Sequence, residues 1–208
     1  MNDKELEKGF SMVIGNAQSL FDEATLLFAN GYFARSYSLS QLAIEEVGKS
    51  TLLCRAVLAF YMGEEVNSKY LDKLGFRDHQ QKTRLSLKSE LISVYLYEKS
   101  IDEKTDFRGS IIDVFSRVDK LNSLKNESLY VSMVDDKFSV PSEIISSDMA
   151  KELLEKAELR LVSAKPLLRP LTDMKLSALR LKEIMNDPNK HAEFQAQASK
   201  ELGIEFTE

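Results

Sequence analysis

The chain has 208 residues, of which 43% are hydrophobic and 29% charged, and carries a formal net charge of −5; that is the composition of a globular domain long enough to bury a core without cross-links. The single cysteine, Cys54, excludes an internal disulfide, the acidic balance gives no general pull toward nucleic acid, and no window approaches the roughly 20 apolar residues that cross a bilayer. The opening MNDKELEK is too polar for a secretion signal, so the expected location is cytoplasmic, with no membrane partner.

From about Lys4 to Ala29 apolar residues recur at Phe10, Val13, Ile14, Ala17, Leu20, Phe21, Ala24, Leu27 and Phe28, the spacing of one helix face. Asn30-Gly31 stops that helix, and the short link predicts an antiparallel return helix from about Tyr32 to Met62. A weaker helix is expected over Glu64 to Leu74, ending at Gly75. Asp78 then reads as an N-cap, with Gln81 completing a capping box, ahead of a helix through Leu85, Leu91, Ile92, Tyr95 and Leu96. A fourth long helix is predicted from about Glu103 to Leu124. The segment Ser128 to Val140 alternates and is β-branched up to Pro141, and reads as extended or as a loose hairpin. Helix resumes near Ser147 or Asp148 and is kinked or ended by Pro166 and Pro170. Further helices cover about Thr172 to Met185 and, capped by Asp187-Pro188, a polar stretch to about Leu202. The fold class is therefore all-α: an antiparallel four-helix bundle over residues 1–145, with a helical extension over 146–208 packed on it as part of a single structural unit.

The second helix is the one around which the others are organised. At about 100° per residue, Tyr32, Leu39, Ala43, Ile44 and Val47 form an apolar flank, while Arg35, Ser38, Glu45, Glu46 and Lys49 gather on the adjacent arc. That arc runs on into Leu42, Leu53, Ala56 and Phe60, so its charges stand at the edge of a packed seam, where they need partners. Cys54, in the same helix, reads as a small core residue rather than a reactive thiol. Gly48-Lys49-Ser50 does not make a phosphate-binding loop, because Ala43 stands where the first glycine is needed and no strand precedes it. Neither His79 nor His191 follows a Glu by three residues, and no Cys/His cluster occurs, so no metal and no cofactor are expected.

Two histidines remain for proton transfer near neutral pH. His191 lies in the polar last helix and reads as a surface residue. His79 stands at a helix start beside Arg77, Lys82, Arg84 and Lys88, where it either makes a local capping bond or serves an anion site. Tyr130 either packs as a core aromatic or presents its hydroxyl to a site. A second basic run, with six Lys and Arg against Asp173 between Arg160 and Lys182, is either a solvated face or a second place for an anion.

Gly31-Tyr32-x-Ala34-Arg35, Ala43-Ile44-Glu45-Glu46-x-Gly48-Lys49, Asp78-His79-x-x-Lys82 and Leu129-Tyr130-Val131 with Pro141 downstream resemble the AbiV branch of the HEPN superfamily over roughly residues 10 to 145. The resemblance implies a helical bundle that commonly dimerises, in a bacterial abortive-infection protein acting against phage. It also implies a toxin, a metal-independent ribonuclease that shuts down translation, with RNA as substrate and room for a phage-encoded activator or other protein partner. The family-like positions are Arg35, Glu45, Glu46, Lys49, His79, Lys82 and Tyr130, with Arg77, Arg84 and Lys88 as possible RNA contacts. The usual HEPN nuclease signature places an Arg four to six residues before a His, whereas here Arg77 stands two before His79. That departure supports the alternative, a non-enzymatic module that arrests growth by binding a host or phage protein. Amphipathic faces carrying Phe10, Phe21, Phe28, Tyr95 and Tyr97 predict apolar surface left for a homodimer.

Overall fold

The structure, a computed structural model, describes residues 1–86, 118, 120–134, 136–164 and 171–202. Helix α1 (Asp3–Ala29) begins at Asn2, whose side chain accepts from the Glu5 amide at 2.9 Å, with Asp3 and Glu5 in the first turn where the helix dipole favours acids. It ends at Asn30, and Gly31 takes the left-handed conformation (φ 78°) that lets the Tyr32 amide reach back to the Leu27 carbonyl at 2.9 Å. Helix α2 (Phe33–Met62) returns along α1 and closes with a second left-handed glycine, Gly63.

Helix α3 (Ser68–Lys73) is shorter than the periodicity over Glu64 to Leu74 predicts. The reason is the Asn67 cap, which accepts from the Tyr70 amide at 3.0 Å and leaves Val66 before it as a buried, non-helical plug. Residues 79–86 are helical and are designated α4; residues 120–127 are designated α5 and run past Leu124, where the sequence predicts an end. Asp78 does cap α4, accepting from the Gln81 amide at 3.0 Å, but its own amide donates to the Gly75 carbonyl at 2.9 Å, so one half of the predicted box is realised that way. Strands β1 (Ser132–Val134) and β2 (Lys137–Ser139) form an antiparallel hairpin with Met133 opposite Phe138. The turn α6 (Pro141–Ile144) follows, then α7 (Ser147–Ala164), α8 (Leu171–Asn186) and α9 (Pro188–Leu202), the last capped by Asp187 as predicted. The predicted helix from Glu103 falls largely outside the described residues, as do Tyr95, Tyr97, Lys88, Pro166 and Pro170.

The core lies on both sides of α2. On one side Val47, Leu53, Ala56 and Val57 meet Leu6, Phe10, Val13 and Ala17 of α1, with Leu161 and Ala164 of α7 closing the layer. On the other, Tyr37, Ala43 and Ile44 meet Ile145, Ala150, Leu153 and Ala157. A helix buried all round must bury polar groups too, and α2 buries Ser36, Ser38, Ser40, Ser50, Gln41 and Glu45. Two expectations are corrected by this packing. Tyr32 is exposed because it precedes the first turn of α2, and Phe10 is buried in the core. Phe21 and Phe28 lean on core clusters, so these phenylalanines are not the free patch proposed for a dimer. The large exposed apolar residues include Val131, Met133, Phe138 and Val140 of the hairpin, and Leu159, Val162, Leu176 and Leu179 of α7 and α8.

Candidate functional site

The α2 backbone comes unusually close to α4 at Gly48. A Cβ there would overlap the Lys82 carbonyl oxygen and lie 2.8 Å from its carbon, so only glycine permits this approach. One end of the seam is thus fixed by Gly48. The other is fixed by Gln41, whose amide donates to the Thr83 hydroxyl at 3.2 Å while that hydroxyl donates to the His79 carbonyl at 3.1 Å. Glu45 lies between them, one turn from each, and the seam carries it against the first turns of α4.

Glu45 is 2% exposed, and a carboxylate so placed needs strong partners. It has three. Lys125 of α5 donates to Oε1 at 2.9 Å, His79 Nδ1 bonds Oε2, and the Lys82 ammonium lies 3.9 Å from the same oxygen. An ionised carboxylate only accepts, so a neutral His79 ring bonded to it is the Nδ1–H tautomer, with the lone pair on Nε2. Lys82 and Lys125 are themselves 5% and 6% exposed, while 56% of the His79 side chain is open to solvent. Burial holds the Lys82 ammonium below the usual lysine range; Glu45 pulls it back up, and Lys49 and then Lys125 push it further down. That coupling joins Lys49 and Glu46 to the same charged cluster. They form an ion pair one turn apart on α2, and the Lys49 ammonium sits 5.4 Å from the centre of the Phe76 ring.

The structure therefore brings Glu45, His79 and Lys82 into contact and sets Glu46 and Lys49 beside them. Arg35 stands elsewhere. Ten residues before Glu45, about 15 Å along the helix, its guanidinium donates to the Leu129 carbonyl at 3.3 Å. Tyr130 is exposed after that turn, so it does not pack as a core aromatic. Arg77 pairs with Asp72 at 3.2 Å, Arg84 is half-buried on α4, and Lys88 lies outside the described residues. In the basic run from Arg160 to Lys182, Arg160 is buried on α7, whereas Lys175 and Lys182 are exposed on α8, the first 6.0 Å from the Tyr61 ring centre and the second donating to the Met62 carbonyl at 3.2 Å, so Arg160 does not share their solvated face. His191 is half-buried on α9. Sequence reasoning misses Lys125, Gln41 and Thr83. The separation of 80 residues between Glu45 and Lys125 leaves no local trace, and a Gln in the middle of α2 carries no signal that it faces a threonine.

A family model described as AbiV, of the HEPN type, matches residues 5–161. No curated protein and no solved structure matches the chain. The match runs through α1, α2, the Glu45–His79 contact, the hairpin and nearly all of α7. With that share of its length matched, the chain belongs to the AbiV family of the HEPN superfamily, a family of abortive-infection proteins.

Proposed function

We propose that this AbiV protein is a metal-independent ribonuclease of phage defence, a toxin whose action on RNA shuts down translation. The observation that carries the reading is a solvent-open imidazole held through Nδ1 by a buried carboxylate, with ammonium groups around it. Cleavage of RNA without a metal needs a base for the 2′-hydroxyl and cations for the charge that gathers on phosphorus. Nε2 of His79 takes the 2′-hydroxyl proton, the 2′-oxygen attacks phosphorus, and the 5′-oxygen leaves with a proton from a neighbouring ammonium or from water. The products are a 2′,3′-cyclic phosphate and a 5′-hydroxyl. Lys49, the less buried of the ammonium groups nearby, supplies positive charge at the mouth of the site, and Lys82 supplies it from below. Exposed apolar residues on one face of the hairpin, Val131, Met133, Phe138 and Val140, favour a homodimer or a protein activator covering them. Sedimentation at micromolar concentration checks the first: mass must rise above 23.6 kDa toward twice that value.

A second reading has one observation in its favour. Arg35 serves the Leu129 turn and Arg77 pairs with Asp72, so neither arginine joins His79. A module of this kind arrests growth by binding a protein, and the charged cluster only sets helix register. Growth under the inducing condition separates the two. Loss of arrest in both His79→Ala and Lys82→Ala, with normal protein levels, supports the ribonuclease; arrest that survives both supports the binding module.

A further inference from the structure

Lys125 reaches the site from the last turn of α5, and its position is itself fixed from α2. The Ser128 hydroxyl donates to the Lys125 carbonyl at 2.6 Å and shares a 2.6 Å hydrogen bond with the buried Ser38 hydroxyl. One residue further on, the Leu129 carbonyl accepts from Arg35 at 3.3 Å. Two side chains of α2 thus clamp the turn that ends α5, and the clamp lies two to three helical turns from Glu45. From there the Lys125 side chain returns to α2 and bonds the Glu45 oxygen that His79 does not use.

We infer that Lys125 is the positioning residue of the Glu45–His79 pair, holding one carboxylate oxygen so that the other faces the imidazole, and that the Ser38–Ser128 clamp holds Lys125 in that role. The competing partner is Lys82. Its ammonium lies 3.9 Å from the oxygen bonded to His79, within ion-pair range but beyond hydrogen-bond distance. With Lys125 removed, the carboxylate turns to close that gap, since a buried carboxylate takes the nearest unscreened cation, and His79 loses its acceptor. Among the described residues Lys82 on α4 and Lys125 on α5 face Glu45 directly, and the paired Glu46 and Lys49 on α2 act on Lys82; of these only Lys125 is bonded to Oε1. The inference deepens the reading of His79 as the base, because a base whose free nitrogen is set by tautomer depends on whatever sets the tautomer.

The test is the nitrogen NMR of the His79 ring in the full chain at about pH 9, where imidazole is neutral. In the wild type the Nδ1–H tautomer dominates. In Lys125→Met its share is at least about halved, Lys125→Arg restores it, and Ser128→Ala lowers it part of the way. Leu6→Ala, a core change on α1 away from the cluster, serves as the control and leaves the tautomer as in wild type. An unchanged tautomer in Lys125→Met overturns the inference, and so does a wild-type ring that is mainly Nε2–H. If Lys125→Met fails to fold, Ser128→Ala decides alone, an unchanged ring again overturning it. RNA enters none of these measurements. A protein that shows the tautomer change but cleaves no RNA keeps the positioning role and loses the ribonuclease reading.

Discussion

Gly48 ties the local chemistry of one residue to the geometry of the whole site. In a helix interior, replacing Gly by Ala gains up to about 1 kcal/mol from propensity. Here the new methyl would overlap a backbone carbonyl, which cannot swing aside as a side chain can. Overpacking of this kind costs about 1–3 kcal/mol, and a backbone clash falls at the upper end of that range. Gly48→Ala is therefore expected to destabilise by about 2 kcal/mol net, read from the urea midpoint, and to weaken the Glu45–His79 contact because α4 must move off α2. A stabilised variant would show that the two backbones are not in contact. At this scale the sequence was partly legible. The Glu-Glu-x-Gly-Lys string, Asp78 and His79 stood out as a group, yet the string does not say that Glu45 is buried against His79 while Glu46 turns to Lys49. Adjacent residues on a helix point about 100° apart, and which of them faces a neighbour is settled by where that neighbour packs.

The elements were the most legible level, because periodicity and capping are local. Asn30-Gly31, Gly63, Asp78, Asp187 and Pro141 each mark the boundary their side-chain or φ preference predicts. The α3 segment was less so, since six helical residues carry too few periods to register and a buried Val66 mimics the start of one. Lys125 lies at the far end of α5, and no pattern within that helix points to Glu45. The hairpin gives a test at this scale. Phe138 is 80% exposed and faces Met133 across the ladder, so it adds little to the folded monomer. Phe138→Ser is expected to change stability by no more than about 0.5 kcal/mol in dilute solution by thermal melting. A loss above about 2 kcal/mol would mean that the side chain is covered, as in a dimer stable at that dilution.

For the whole molecule, no helix among the described residues is long and apolar enough to cross a membrane, and the stability of the fold has a predictable alkaline limit. Burial first, then the charges of Glu152 and Glu127, push the Tyr37 hydroxyl up to about 12, and burial pushes the Cys54 thiol up to about 11. A raised folded value for an acid means that the fold prefers the neutral form. The contribution is complete below the unfolded values of 10.0 and 9.0 and is lost as pH rises through about 12 and about 11. Each is worth roughly 2–3 kcal/mol. Lys82 acts in the opposite sense, its depressed folded value giving a contribution present above 10.5 and lost as pH falls. Paired variants separate the terms: Tyr37→Phe should match or trail the wild type below pH 10 and gain on it by roughly 2 kcal/mol toward pH 12, measured by urea unfolding. A constant difference across that range would place Tyr37 outside the buried core.

RNA cleavage by His79, held by Glu45, is proposed above, and the ends of the RNA would record it. RNA is taken during phage infection from cells making equal amounts of wild type or His79→Ala, and 5′-hydroxyl ends are mapped with their matching 2′,3′-cyclic phosphates. New paired ends are expected in wild type and absent with His79→Ala, in step with loss of protection. Equal ends in both, or protection with no new ends at all, would contradict it.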